Sequence, residues 1–94
     1  MKISELQPNS NATLDKVEVV EKGEVREFMK FDRPGRVCNL KIKDSSGEAQ
    51  LTLWNEEIES VDEGDNIRIT DGWVKEWNGK IQVSRGKKGT IEKL

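Results

Sequence analysis

The sequence predicts an all-β domain: five strands closed into a small barrel, with a short helix between the third and fourth. Apolar residues recur at period two, turn residues interrupt them at short intervals, and helical periodicity is nearly absent. Ninety-four residues, 33% of them hydrophobic, suit a single domain spanning residues 1–94 with a modest core. The charged share of 36% exceeds the usual figure of about 25% and implies a heavily solvated surface.

The first strand is expected from Thr13 to about Arg26, with Leu14, Val17, Val19 and Val20 as its apolar positions. Gly23 suggests a bend, which a strand serving two sides of a barrel needs. Phe28 to Gly35 reads as a loop stopped by Arg33-Pro34-Gly35. The second strand, Arg36 to Asp44, places Cys38, Leu40 and Ile42 on one face and Asn39, Lys41 and Lys43 on the other. Asp44-Ser45-Ser46-Gly47 is a hairpin turn. The third strand, Glu48 to Trp54, turns Ala49, Leu51 and Leu53 inward and Gln50, Thr52 and Trp54 outward. Asn55 can cap a short helix from Glu56 to Val61, whose acidic first turn suits the helix dipole.

The fourth strand starts at Asn66, with Ile67 and Ile69 inward. A bulge is expected near Gly72, because the apolar position shifts from odd numbers to Val74. Asn78-Gly79 is the strongest hairpin signal in the chain, a type I′ turn. It sets Trp77 opposite Lys80, Lys75 opposite Gln82 and Trp73 opposite Ser84, with Val74–Val83 and Glu76–Ile81 on the other face. The last strand, Lys80 to Arg85, leads into Gly86-Lys87-Lys88-Gly89, read as a flexible basic turn, and a short segment around Ile91. This order has the connectivity of an oligonucleotide-binding (OB) barrel. A small sandwich or an SH3-like barrel is compatible too, since alternation alone does not fix closure.

Several function classes are disfavoured. No apolar run of 18 residues is available for a membrane span, and Met1 to Leu6 lacks the apolar core of a signal peptide. A cytoplasmic setting is therefore expected. One cysteine, Cys38, allows no internal disulfide, and with no histidine the usual metal ligands and general base are missing. No metal site, cofactor or catalysis is expected. Glu56, Glu57 and Glu59 read as a solvated helix face rather than an acid–base pair, and Asp44–Gly47 lacks the carboxylates of a calcium loop.

Three tryptophans lie on the polar sides of their strands, while Leu, Ile, Val and Ala already supply the core side. An indole left in water forgoes about 2 kcal/mol or more of burial energy, so three among amines and amides imply a partner surface. Nucleobases provide one, because an indole stacks on any base while lysine and arginine meet the phosphates. A net charge of −2 argues weakly against a polyanion, but its distribution does not. Residues 22–43 carry seven basic groups against three acidic, and residues 73–94 carry six against two; residues 44–71 hold nine acids and only Arg68. In an OB barrel the two basic stretches border one groove, and the acidic stretch is expected mainly off it. Phe28 and Phe31 add aromatics to the first loop, one to plug the barrel end and the other to stack.

These residues resemble the OB domains of archaeal single-stranded-DNA-binding proteins and archaeal replication protein A. The likeness starts at Ile3-Ser4-Glu5-Leu6-Gln7-Pro8 and runs through Asp44-Ser45-Ser46-Gly47-Glu48-Ala49-Gln50-Leu51-Thr52-Leu53-Trp54. It continues in Glu63-Gly64-Asp65-Asn66-Ile67-Arg68-Ile69 and Gly72-Trp73-Val74-Lys75. The resemblance implies base stacking by Trp54, Trp73 and Trp77, and basic contacts from the first loop. Residues 1–94 contain neither the zinc-binding cysteines nor the acidic tail of some relatives. Recruitment of partner proteins through such a tail is therefore not expected of this segment, which reads as one OB domain of a longer polypeptide or as a short stand-alone member.

The reading is therefore a module that holds single-stranded DNA with little sequence preference, in replication, repair or recombination. Trp54, Trp73, Trp77 and Phe31 are the stacking candidates. Arg33, Arg36, Lys41, Lys75, Lys80, Arg85 and Lys87 are the candidate phosphate contacts. Binding of RNA or tRNA, or a protein-interaction role within a replication complex, are the alternatives.

Overall fold

A computed structural model describes residues 2–86 and 88–94, and at Trp77 the backbone alone. Strands β1 (Ser10–Lys30), β2 (Arg33–Asp44), β3 (Gly47–Trp54), β4 (Asn66–Trp77), β5 (Lys80–Ser84) and β6 (Thr90–Lys93) form one sheet. The sheet order is β1-β2-β3-β5-β4-β6, and β1 also pairs with β4, so the first five close a ring. Every pairing is antiparallel except β3–β5, which is parallel. This is the OB barrel rather than an open sandwich. The segment around Ile91 forms the sixth strand, laid antiparallel on β4 with Ile91 opposite Ile69.

The expected two-sided first strand is present, and longer than the sequence indicates. Its first half pairs with β4, its second half with β2, and Glu18 is opposite both Lys43 and Asn66. Register shifts between Leu14 and Val17, Val19 and Glu21, and Lys22 and Val25 supply the bending. Val20, expected in the core, falls in the second of these and is only half-buried. At Gly23 a Cβ atom would sit 2.5 Å from the Asn39 carbonyl oxygen. Only glycine lets the two backbones approach that closely.

Phe28–Gly35 is not a loop. The β1–β2 ladder continues through Phe28↔Gly35, Met29↔Pro34 and Lys30↔Arg33. It turns on Phe31 and Asp32, with φ of 51° and 61°. These values match a two-residue hairpin turn, for which Phe-Asp carries no sequence signal. The β4–β5 hairpin has every residue pair expected from Asn78-Gly79. The expected bulge in β4 lies beside Gly72: Ala12↔Gly72 is followed by Leu14↔Ile69, with Asp71 at φ 52°.

Leu14, Val17, Val19, Leu40, Ile42, Leu51, Leu53, Ile67, Ile69, Val74 and Val83 fill the barrel, each fully buried. Neither phenylalanine plugs an end. Ile58 and Val61, within and after the 3-10 helix Asn55–Ser60, join the core instead. Asn55 does not cap that helix; it lies inside it, and its Oδ1 accepts the Arg36 N–H at 3.0 Å. Lys22, counted with the basic first stretch, reaches the far end of the helix. Its Nζ donates to the Ile58 and Val61 carbonyls at 2.7 and 2.8 Å, a favourable place for a cation. No helix among the described residues is long and apolar enough to cross a membrane.

The N-terminal 3-10 turn, Ile3–Glu5, is tied down by the β2–β3 hairpin. Asp44 accepts backbone N–H groups from Ile3 (2.9 Å), Ser46 (2.7 Å) and Gly47 (3.2 Å), and the Ser46 hydroxyl oxygen accepts that of Ser4 (3.0 Å). Burial alone would raise the Asp44 pKa, but these bonds, with that from the Ser46 hydroxyl, hold it below the ordinary aspartate value.

Two outcomes test this description. Gly23→Ala is expected to cost about 1–3 kcal/mol in urea denaturation, because the Asn39 carbonyl cannot yield without opening the β1–β2 ladder. A variant as stable as the parent would remove the case for a forced close approach. Asp44 binds protons more weakly folded than unfolded, so its stabilisation is complete above about pH 4 and fades as pH falls through its lowered folded pKa. The stability gap between the parent and Asp44→Asn should therefore be full at pH 7 and shrink below about pH 4.

Candidate nucleic-acid interface

Strand alternation turns one row of side chains into the barrel and the next outward, and in-register partners share a face. Two outward rows cross the sheet. One runs Asn39–Thr52–Ser84–Trp73 over β2, β3, β5 and β4; the other runs Lys41–Gln50–Gln82–Lys75. Trp54, two residues beyond Thr52 and opposite Val37, stands at the end of β3. Trp54 is 45% exposed and Trp73 half-buried. From strand spacing and rise, their backbones lie about 12 Å apart.

Polar groups join the rows. The Thr52 hydroxyl donates to Asn39 Oδ1 at 3.0 Å, and Gln82 Nε2 donates to Gln50 Oε1 at 3.3 Å. A recess between these rows and the β4–β5 turn is bordered by Glu21, Gly23, Lys41, Gln50, Lys80 and Ile81. A second recess lies beside Trp54, against Glu57, Ser84, Arg85 and Gly86. The surface thus presents two indoles separated by amides and hydroxyls, with cations at the rim.

The β1–β2 ribbon extends the surface. Its outward face carries Arg26↔Val37, Phe28↔Gly35 and Lys30↔Arg33. The Phe28 ring covers Gly35, where any side chain would collide with it. It also meets the Trp54 ring edge-to-face, with centroids 5.7 Å apart at 85°. Phe31, at the tip, is 88% exposed with Lys30 Nζ 5.8 Å from its ring centroid. Arg26 and Lys30 belong to the first basic stretch without being candidate phosphate contacts, and Phe28, one of the two first-loop aromatics, shares this face. Counting alternate residues from Trp54 through Val37 would have grouped them, had the segment not been read as a loop.

The other candidates divide. Trp54, Trp73, Arg33, Lys41, Lys75 and Lys80 share the outward face, and Arg85 follows Ser84 beside it. Arg36 does not belong with them. It pairs with Glu27 on the reverse face of the ribbon and bonds Glu59 at 3.1 Å. The side chain of Trp77 and all of Lys87 lie outside the described residues. Gly86 packs on Trp73, and Gly89 fits among the carbonyls of Thr70, Asp71 and Arg85.

The acidic stretch also comes closer than the sequence suggests. Glu48 pairs with Lys41 at 3.2 Å and Glu57 with Arg85 at 2.8 Å. Among the described residues, Arg33, Lys75 and Lys80 have no ion pair, so the cationic rim is partly neutralised and partly open. No group of histidine, cysteine, aspartate and glutamate side chains able to hold a metal occurs among the described residues.

The ring contact predicts a measurable coupling. A double-mutant cycle of Phe28→Ala with Trp54→Ala, read by urea denaturation, should show about 0.5–1.5 kcal/mol of interaction between the two sites. Strict additivity would mean that the ribbon does not rest on Trp54.

Comparison with known proteins agrees with this geometry. The model of the OB-fold nucleic acid binding domain family matches residues 18–87. The single-stranded DNA binding protein Ssb of Saccharolobus solfataricus is 28% identical over 90 residues, 96% of this chain and 61% of that protein. The chain thus spans about three-fifths of that relative's length. The second OB-fold domain of replication protein A from Methanococcus maripaludis is 33% identical, with a TM-score of 0.80, covering all of this chain and 93% of that one. The replication factor A related protein from Methanobacterium thermoautotrophicum is 27% identical with a TM-score of 0.83, covering all of this chain and 89% of that one.

Proposed function

Since this chain belongs to the OB-fold nucleic acid binding domain family, alongside the OB domains of archaeal replication protein A, we propose that it binds single-stranded DNA with little sequence preference and catalyses no reaction. The observation that carries this reading is the pair of indoles left outward on a sheet whose inward rows are already filled. Bases stack on Trp54 and Trp73, and Phe31 extends the stacking surface at the ribbon tip. Arg33, Lys41, Lys75, Lys80 and Arg85 meet phosphates, with Arg26 and Lys30 added from the ribbon. Stacking is tolerant of sequence because every base has a π-face. Residues 1–94 act as one binding unit covering about 4–6 nucleotides. Replication, repair or recombination in the cytoplasm is the setting that suits it. DNA rather than RNA follows what the Ssb relative is described as binding.

Titration with oligo-dT should quench tryptophan emission, and affinity should fall as salt rises because phosphate pairing releases counterions. Trp54→Ala and Trp73→Ala should each cost about 1–3 kcal/mol, roughly 5- to 150-fold in Kd. Arg36→Ala, on the reverse face, should change Kd by less than about two-fold. Unchanged fluorescence and mobility at low salt would defeat the proposal, and stronger competition by matched RNA would redirect it.

A further inference from the structure

The recess beside Trp54 contains a carboxylate whose two oxygens do different things. Glu57 Oε1 accepts the backbone N–H of Trp54 at 3.1 Å, and Oε2 lies 2.8 Å from Arg85 Nε in an ion pair. The glutamate side chain is only 20% exposed, whereas that of Arg85 is 49% exposed. Glu57 is therefore held by the end of β3, and Arg85 is the member that faces solvent.

The contact uses the guanidinium at Nε. Nε is the nitrogen that pairs with Glu57, at the inner edge of the guanidinium. A guanidinium gripped at Nε by a fixed carboxylate presents the remaining pair of N–H groups as a planar fork, the arrangement that matches two oxygens of one phosphate. Ser84, just before Arg85, is opposite Trp73, and Trp54 borders the same recess. Arg85 thus shares the Trp54 recess and directly follows the residue opposite Trp73.

We infer that Glu57 is a positioning residue that aims Arg85 at one particular phosphate, that of the nucleotide stacked on Trp54. This rests on the single-strand-binding reading and makes it more specific. It assigns a binding role to a member of the acidic stretch, which would otherwise count only as repulsive to DNA. It also makes Arg85 different in kind from Lys75 and Lys80, which act as point charges. A lysine at position 85 would keep the charge but could not satisfy Glu57 and also offer a two-pronged donor. A glutamine at position 57 loses the charge and puts an NH2 donor where one of the two carboxylate oxygens stood, so it offers an acceptor to Trp54 or to Arg85 at these positions but not to both.

The test uses a (dT) oligonucleotide of about 12 residues, long enough for the site of an OB fold, and the intact chain. Arg85→Lys should weaken binding about five-fold, because the bidentate contact is lost while the charge stays. In the Glu57→Gln background the same Arg85→Lys change should cost nothing further, whatever Glu57→Gln does alone. Arg85→Ala should lower the slope of log affinity against log salt by about 0.7, the share of one phosphate on a single strand. A purely structural ion pair would not move that slope. If the parent binds but Arg85→Lys binds equally well, or Arg85→Ala leaves the slope unchanged, the inference is overturned while the stacking account stands. If the parent itself does not bind, the functional reading fails and this inference with it.

Discussion

The short parallel pairing of β3 with β5 is the contact on which the rest of the structure depends. Three residue pairs, Gln50↔Gln82, Leu51↔Val83 and Thr52↔Ser84, close the ring. On the inside they bring Leu51 against Val83 in the core; on the outside they join Gln50 to Gln82 and Thr52 to Ser84. Without that closure, Trp54 would end one sheet edge and Trp73 would lie on a separate hairpin. With it, the two indoles and the amides between them form one continuous surface. Fold stability and the presence of a site are therefore the same event here.

The charge arrangement has a similar economy. An overall charge of −2 conceals a surface on which carboxylates hold selected cations in place. Asp65 and Asp62 take Lys93, Glu59 takes Arg36, and Lys22 closes the helix carbonyls. These pairs are mostly exposed and each contributes little to stability. Their effect is to divide the basic side chains into those engaged in the architecture and those left at the rim. Hydrogen bonding by Asp62, ahead of the nearby Lys93 and Lys22 charges, keeps the Asp65 carboxyl below its ordinary pKa. Asp65 thus stays ionised beside Lys93.

Much of this was legible in the sequence, for identifiable reasons. Period-two alternation located the inward residues of β2, β3 and β5 without error, because a one-residue slip would have moved every leucine to the solvent side. Asn78-Gly79 fixed the register of a whole hairpin, which in turn placed Trp73, Lys75 and Lys80. The ribbon tip was not legible. Phe31 adopts a left-handed conformation that a bulky aromatic side chain does not favour, and Arg33-Pro34-Gly35 looks like the end of a loop. Reading that segment as a loop hides that Phe28, Lys30 and Arg33 share one face of the ribbon, while Arg36 lies in the strand expected from the sequence, where its even number already sets it apart from Asn39 and Lys41. The ion pairs were also hidden, since Glu57–Arg85 and Lys41–Glu48 depend on tertiary approach or on diagonal reach between neighbours. Charge blocks in a sequence show where charges are concentrated, not which of them are already matched.

The most direct test is to map where a single strand touches the chain. On adding a short oligo-dT to isotopically labelled protein, the indole N–H signals of Trp54 and Trp73 and the backbone amides of Gln50, Thr52, Gln82 and Ser84 should shift together. The amides of β6 and of the N-terminal turn at Ile3–Glu5 should hardly move. Shifts gathered at β6 or around the Asp44 turn, with both indoles unperturbed, would contradict the account.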